Sequence, residues 1–225
     1  MKSAVILLSG GIDSSTLTYY LYSKGYILYP LCIIYGQKHR REIDSAGAIA
    51  NSLGLKLQIA DLSSISMLFG GSALTSSDIS IPEGHYSNKS MKATVVPNRN
   101  MVFLSLAAAY ALTMRCKYVA YAAHANDRAI YPDCRPEFIE SARETIRLGT
   151  EKITLIDPFI TRSKASIVRE GLKLGVPYED TWSCYIGGEK ACGKCGTCCE
   201  RRGAFELNEV KDPIEYEGGS NVQFS

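Results

Sequence analysis

The sequence has no long apolar run, almost no net charge, only three histidines and a single tryptophan in 225 residues. The first apolar segment, residues 4–8, is too short for a signal peptide or a membrane span, so we expect a cytoplasmic protein with no membrane partner. A formal net charge of +2 provides no broad basic field, which argues against nucleic acid as a main partner. With 46% apolar and 21% charged residues and no internal repeat, the chain is typical of a globular enzyme.

Strand and helix patterns alternate along most of the chain, which predicts an α/β protein with a doubly wound parallel sheet covered by helices. Apolar or alternating segments predict five strands, at residues 4–8, 27–35, 55–59, 118–122 and 153–156. The helix period predicts helices after residue 11, at 40–53 and 101–112, along Phe138, Ala142 and Ile146, and after an N-cap at Ser163. Ligands of such sheets bind beyond the carboxyl ends of the strands, so polar motifs that follow strands are candidate site residues.

The segment Ser9–Ser15, with the sequence SGGIDSS, lies between the first strand and the first helix and has the character of a phosphate-binding loop. The first N–H groups of a helix have no intrahelical partner, and the helix dipole favours an anion there. Gly10 and Gly11 are expected to let the backbone approach a nucleotide, and Asp13 to cap the helix or to hold magnesium. The spacing matches neither the Walker loop nor the dinucleotide G-x-G-x-x-G motif. The alternative is an ordinary glycine-serine turn that caps a helix.

Cys184, Cys192, Cys195 and Cys198 follow one another with the spacing C-x7-C-x2-C-x2-C, which allows four thiolates to converge on one ion. Zinc is the expected metal, and a closed four-cysteine site would be structural. Iron–sulfur ligation and a disulfide framework are the alternatives. Cys199 directly follows a predicted ligand and is interpreted as a spare thiol. The other cysteines, Cys32, Cys116 and Cys134, are expected to be small buried hydrophobes.

Three further segments carry polar groups at predicted strand ends or helix starts. Residues 63–95 are rich in serine and glycine and predict a long active-site loop or lid, with a disordered insertion as the alternative; His85 and Tyr86 within it are weak substrate candidates. Arg99 lies at a helix start and could pair with phosphate oxygens, or be a surface arginine. In the loop 123–135, Asp127 and Asp133 could accept hydrogen bonds from a guanine-like ring and Tyr131 could stack on it, unless each is a cap or surface group.

Taken together, these motifs resemble the 7-cyano-7-deazaguanine synthase family of the queuosine and archaeosine pathways, within the PP-loop superfamily. The resemblance covers nearly the whole chain. It is carried by S-G-G-x-D-S at residues 9–14, YGQKH at 35–39, VPNRN at 96–100, YPDCR at 131–135, Lys164 in SKASI, SCY at 183–185 and the last three cysteines of the cluster. It implies an adenine nucleotide alpha-hydrolase-like fold over residues 1–180, followed by a zinc-binding segment over 181–225.

The resemblance also implies an activity, a C–N ligase reaction in which 7-carboxy-7-deazaguanine and ammonia become the nitrile at the expense of ATP. Magnesium and a structural zinc are implied as cofactors, and a homodimer as the assembly. The implied catalytic residues are Asp13, Arg99 and Lys164. Nucleotide binding falls on Leu8, Ser9, Gly10, Gly11, Ile12, Asp13, Ser14, Ser15 and Thr16; substrate binding on Asp127, Tyr131, Asp133 and Arg135; and zinc binding on Cys184, Cys192, Cys195 and Cys198. His124 is not included among the implied site residues, because the residue at this position varies more within the family.

The chemistry predicts two activations in one pocket, because first a carboxylate and then an amide oxygen must become a good leaving group. No Cys–His arrangement suited to a glutaminase is visible, so ammonia is expected from solution. Two rival functions remain open at this stage. One is a tRNA-modifying ligase or thiolase, which would need an RNA-binding domain; the other is a nucleotide-binding module without turnover.

Overall fold

The computed structural model describes residues 1–84 and 89–218, and within them five parallel strands form one sheet. The strands are β1 Ser3–Leu7, β2 Ile27–Ile34, β3 Gln58–Asp61, β4 Tyr118–Ala120 and β5 Thr154–Ile156. The α-helices are α1 Ile12–Ser23, α2 Arg41–Ser52, α3 Arg99–Thr113, α4 Pro136–Thr150, α5 Lys164–Leu174 and α6 Gly196–Glu206. The predicted α/β class with a doubly wound parallel sheet is confirmed.

The strand order β3-β2-β1-β4-β5 places β1 at the centre of the sheet. In the register, Val5 of β1 lies opposite Tyr29 on one side and Val119 on the other. The chain builds outward from β1 to β3 on one side and then from β4 to β5 on the other, so the order reverses beside β1. A crevice therefore opens at the carboxyl end of β1, where residues 8–11 begin.

Helices cover both faces of the sheet, and the period of two along β1 divides its side chains between them. Val5 and Leu7 point into a core that α3 and α4 complete with Leu104 and Ile139. The neighbouring residues Ala4 and Ile6 point into an opposite core, made with residues of α1, α5 and α6. Burial on both faces explains why the central strands have continuous apolar sequences.

The edge strand β3 differs from its prediction. It covers Gln58–Asp61 rather than 55–59, and Leu31 of β2 pairs with Gln58 at its start. Leu55 and Leu57 alternate like strand residues because they pack against the buried face of α2, which contains Ile49. Their burial therefore reflects a helix contact and not sheet pairing.

Two further predictions concern the N-cap at Ser163 and the loop at residues 63–95. The N-cap at Ser163 is confirmed, since its side chain accepts a hydrogen bond from the Ser166 N–H at 3.3 Å. Residues 63–95 contain two short 3-10 helices, Ser63–Phe69 and Lys89–Thr94, and bury Phe69 and Met91. The described part of this segment is thus a packed loop. His85 and Tyr86 lie outside the described residues. Within the described ranges, no helix has the length and apolar character needed to cross a membrane.

Candidate active site

The loop from β1 to α1 presents backbone N–H groups to the crevice. Gly11 is the N-cap of α1, and it has no side chain to accept hydrogen bonds from the first turn. Ser9 closes the loop instead, since its N–H donates to Ser14 Oγ at 3.1 Å and the two hydroxyls lie 3.0 Å apart. The first N–H groups of α1 are therefore placed to bind an anion, as the sequence predicted.

The two loop glycines have different roles. A Cβ on Gly11 would meet nothing closer than Ser9 Oγ at 3.5 Å, and Gly11 lines the pocket. A Cβ on Gly10 would lie 2.4 Å from the Glu42 carbonyl oxygen and 2.6 Å from the Ala46 nitrogen, both in α2. Gly10, at φ +80°, is thus needed for close packing of the loop against α2, which corrects the expectation that both glycines give access to a ligand.

A pocket opens beyond this loop at the carboxyl end of the sheet and collects most of the predicted site residues. The predicted residues that line it are Leu8, Ser9, Gly11, Ile12, Asp13, Ser14, Arg99, Asp127, Tyr131 and Lys164. The predicted residues that do not line it are Gly10, Ser15, Thr16, Asp133 and Arg135.

Ser15 and Thr16 are fully buried beneath the loop. Thr16 Oγ1 donates to the Ile12 carbonyl at 2.8 Å and lies 2.8 Å from the Tyr178 hydroxyl. Thr16 therefore holds the first turn of α1 in place, and neither Ser15 nor Thr16 lines the pocket.

The two residues from the YPDCR segment that miss the pocket have local partners. Asp133 Oδ2 accepts a hydrogen bond from the Asn100 N–H at 3.2 Å, so this carboxylate serves the first turn of α3. Arg135 is exposed, and its Nε donates to the Arg128 carbonyl at 3.1 Å. The structure therefore does not bring Asp133 or Arg135 to the place where a ligand would contact Tyr131.

Lys164, the first residue of α5, lies between two carboxylates. Its Nζ is 2.5 Å from Asp13 Oδ2 and 3.2 Å from Glu200 Oε2. Burial alone would lower the pKa of the Lys164 ammonium, but Asp13, Glu200 and Asp127 raise it above its ordinary value. Burial would likewise raise the pKa of Asp13, yet Lys164 and His124 lower it overall. The arrangement keeps an ammonium and a carboxylate charged beside the phosphate loop.

His124 belongs to the same network and is almost completely buried. Its Nδ1 accepts the Asn126 N–H at 3.3 Å, so the neutral ring carries its proton on Nε2. That Nε2 lies 3.3 Å from Asp127 Oδ2 and 3.6 Å from Asp13 Oδ2. His124 thus links the two carboxylates, a role that no sequence motif indicated.

The other end of the pocket is aromatic and contains one cation. The Arg99 guanidinium lies 5.4 Å from the centre of the Tyr35 ring and 5.6 Å from that of Phe103, and its Nη1 donates to the Tyr35 hydroxyl at 3.2 Å. The hydroxyl of Tyr131 lies 2.7 Å from Thr94 Oγ1. In the described part of the chain, no carboxylate lies within 4.0 Å of Arg99, so the pocket offers a cation to an incoming anion.

Glu42, from the first turn of α2, forms part of the pocket wall between these two ends. Burial raises the pKa of its carboxyl group to about 7, although Arg99 lowers it. Its carboxylate accepts no hydrogen bond from the described residues. No sequence motif marked Glu42, which appeared only as one acidic residue in a helix pattern.

The four predicted cysteines converge beside the pocket. The sulfurs of Cys184, Cys192, Cys195 and Cys198 all lie within 4.8 Å of one another and are buried. Four thiolates at about 2.3 Å from one ion in a tetrahedron would be about 3.8 Å apart, so the cluster fits a metal ion. The Cys195 N–H donates to Cys192 Sγ at 3.3 Å, a contact that supports a thiolate. All eight cysteines fall in the described residues and none forms a disulfide, and Cys199 stands outside the cluster.

The cysteine cluster is physically joined to the phosphate loop through Trp182. The indole packs against the cysteines, and its Nε1 donates to the Cys184 carbonyl at 2.9 Å. The backbone N–H of Trp182 donates to the Gly10 carbonyl at 2.9 Å, and Arg41 stacks over the ring at 4.2 Å. The chain's single tryptophan therefore contacts the cysteine cluster and the loop, and it also lines the pocket.

The chain is similar to known proteins over most of its length. The model of the family described as queuosine biosynthesis protein QueC matches residues 3–209. A Caldicellulosiruptor saccharolyticus protein described as 7-cyano-7-deazaguanine synthase is 51% identical over 215 residues, which covers 95% of each chain. One from Pseudoalteromonas atlantica with the same description is 47% identical over 218 residues, 96% of this chain and 100% of the relative. NMN synthetase from Francisella tularensis, at 16% identity and a TM-score of 0.54, covers 92% of this chain and 77% of its own, and shows the fold alone.

Proposed function

The chain belongs to the family of queuosine biosynthesis protein QueC, and we propose that it converts 7-carboxy-7-deazaguanine and ammonia into 7-cyano-7-deazaguanine in an ATP-dependent reaction. The observation that carries this proposal is one pocket with two chemically different ends. A phosphate loop with Lys164 and Asp13 forms one end, and an aromatic slot with the Arg99 guanidinium forms the other. A nucleotide and a planar acid therefore have separate places in the same cavity.

At the loop end, the first N–H groups of α1 and the Lys164 ammonium bind the phosphates of ATP. Asp13 Oδ1 is a buried carboxylate oxygen with no hydrogen-bond partner among the residues that the structure describes, which fits a magnesium ligand. Magnesium held there would neutralise charge on the phosphates. Lys164 would stabilise pyrophosphate as it leaves.

At the aromatic end, the deazapurine ring lies among Tyr35, Phe103 and Tyr131, and its carboxylate pairs with Arg99. This places the reacting carboxylate and not a phosphate on Arg99. Glu42 and Asp127 are the pocket carboxylates available to accept hydrogen bonds from the N–H edge of the ring. Asp133 and Arg135, which the family resemblance implies, have no place in this proposal. Asp133 accepts a hydrogen bond from the Asn100 N–H, and Arg135 is exposed and donates to the Arg128 carbonyl.

The reaction then proceeds by two activations. A carboxylate oxygen attacks the α-phosphorus of ATP, the bond to the β-phosphate breaks, and an acyl adenylate and pyrophosphate form. Ammonia attacks the acyl carbon, and AMP leaves with the former carboxylate oxygen to give the amide. The amide oxygen attacks the α-phosphorus of a second ATP, and a second pyrophosphate leaves. AMP then departs with the former amide oxygen, nitrogen loses its two protons, and the carbon–nitrogen triple bond remains. Holding each oxygen close to the α-phosphorus of ATP is the main task of the pocket.

Ammonia comes from solution in this proposal. The pocket cysteines Cys32 and Cys134 are poor nucleophiles because burial raises the pKa of both thiols above the ordinary value. They therefore supply no thiolate for a built-in glutaminase reaction.

For the four-cysteine cluster we propose zinc, with a structural role, because all four positions of a tetrahedron are filled by sulfur. The division into residues 1–180 and 181–225, the cytoplasmic location and the homodimer stay predictions.

The function is tested by incubating the protein with 7-carboxy-7-deazaguanine, ATP, magnesium and ammonium, followed by mass spectrometry of purine and nucleotide products. Nitrile with AMP and pyrophosphate supports the proposal, whereas accumulation of the amide alone contradicts the second activation. Nucleotide binding without turnover would favour the binding module. Salt-sensitive affinity for tRNA would favour the tRNA-modifying ligase.

A further inference from the structure

Glu200 is a buried carboxylate in the pocket that no sequence motif marked. Its side chain is 8% exposed, and its Oε2 lies 3.2 Å from Lys164 Nζ. Its second oxygen, Oε1, is buried and accepts no hydrogen bond from residues 1–84 or 89–218. A buried carboxylate is costly unless it is paired, so its position beside Lys164 requires an explanation in terms of that lysine.

The cysteine cluster fixes where Glu200 lies. Helix α6 begins at Gly196 with Cys195 as its N-cap, and Cys198 lies in its first turn. The Thr197 hydroxyl, which also lines the pocket, donates to the Ser183 carbonyl at 2.7 Å and lies 3.3 Å from Cys195 Sγ. Glu200 follows in the next turn of the same helix. The backbone of Glu200 is therefore placed by the cysteine cluster at the start of α6 and by the core into which Ala204 and Phe205 of the same helix pack.

Lys164 needs a second carboxylate partner because its first partner, Asp13, is also expected to bind magnesium. Asp13 Oδ2 lies 2.5 Å from Lys164 Nζ in the structure. In the proposed function Asp13 Oδ1 would bind magnesium and Lys164 would also contact the phosphates, so the Asp13 charge would be shared between the cation and the ammonium. Glu200 approaches the ammonium from α6, on a different element from Asp13, and can remain paired throughout.

We propose that Glu200 is a positioning residue that holds the Lys164 ammonium in place for the departing pyrophosphate, and that the four-cysteine cluster delivers it there. This inference rests on the proposed function for the identity of the reaction. It gives the cluster a role in building the pocket, beyond fastening the C-terminal segment.

The first test is a double-mutant cycle on the deazapurine reaction. Glu200→Gln is expected to lower kcat by about 10- to 100-fold, since misplacement of a reacting group by about 1 Å has effects of that size. The KM for the deazapurine acid should stay the same, and Glu200→Asp, which restores the charge, should recover part of kcat. Because Glu200 acts through Lys164, Glu200→Gln should cause no further loss in a Lys164→Gln background. Losses that multiply in the double variant would overturn the inference.

Glu206→Gln is the matched control, since Glu206 lies on the same helix and is exposed outside the pocket. Its kcat should equal that of the wild type. Metal content and thermal midpoint are measured for each variant, so that a drop in kcat in Glu200→Gln counts only with the cluster metal retained. A variant that lost its metal is replaced in the cycle by Glu200→Asp.

The second test reads Lys164 without any turnover. Lys164 is labelled with acetic anhydride in the intact protein, and the modified fraction is measured by mass spectrometry. Loss of its second anion should make the amine several-fold more reactive in Glu200→Gln and leave it unchanged in Glu206→Gln. If labelling responds but the wild type forms no nitrile, the proposed function fails and the positioning role stands. If the wild type forms nitrile but Glu200→Gln has the kcat and the Lys164 labelling of the wild type, the positioning role fails.

Discussion

Replacement of Glu42 by glutamine should stabilise the protein, and by an amount that depends on pH. The folded protein raises the pKa of this carboxyl group from its ordinary value of 4.5 to about 7. Between these values the folded state holds a proton that the unfolded state has released, so the free energy of unfolding falls as pH rises. At about 1.4 kcal/mol per pH unit, the ionised group opposes folding by up to about 3 kcal/mol above pH 7.

The assay is the thermal or denaturant midpoint of the wild type and Glu42→Gln from pH 4.5 to pH 8. The two should be similar near pH 4.5, and the variant should be more stable by about 3 kcal/mol at pH 8, or about 6–12 °C for a chain of this size. Glu42→Asp is the control, because it keeps an ionisable group at the same position and should retain the pH dependence. A constant difference between wild type and Glu42→Gln across this range would refute the reasoning.

The remaining predictions concern the loop, the cysteines and the arginine. Gly10→Ala should destabilise the fold by about 3 kcal/mol, from a left-handed backbone and a clash with α2, whereas Gly11→Ala should fold with wild-type stability and raise the KM for ATP; equal unfolding midpoints for the two would contradict the packing role of Gly10. Cys198→Ser should lose the bound metal, as measured by elemental analysis, and lower the unfolding midpoint; retention of a full complement of metal would exclude Cys198 as a ligand. Arg99→Lys keeps the charge but removes bidentate pairing, so the KM for the deazapurine acid should rise about 10-fold with little change in that for ATP; a rise confined to ATP would place the phosphates on Arg99 instead.

The local features of the fold were predictable because their signals are local. The buried strands β1 and β2 have continuous apolar sequences, and the S-G-G-x-D-S loop and the cysteine spacing are short motifs with a physical requirement at each position. Helix α6 was not predicted, because its residues carry no apolar stripe and its N-cap is Cys195 of the cysteine cluster. A helix that begins in such a cluster has a weak helical pattern in the sequence.

The site could be predicted only as far as its motifs extended. Glu42 and Glu200 are single acids in helices, and they matter because α2 and α6 bring them against residues distant in sequence. Asp133 shows the opposite error, since it lies in the predicted recognition loop but its carboxylate binds the Asn100 N–H at the start of α3. Residue type and loop position cannot distinguish these cases, because the partner of each carboxylate is decided by tertiary packing.

The contact between Gly10 and α2 has a consequence for anyone who wishes to redesign this pocket. The phosphate loop and α2 are packed directly against each other. The Glu42 carbonyl lies against Gly10, and the Glu42 side chain forms part of the pocket wall. A library that varies loop residues 9–15 alone would therefore displace α2 together with the pocket wall, and changes in ligand preference would be confounded with changes in the scaffold. Residues of the loop and the α2 residues that pack against it therefore have to be varied in the same library.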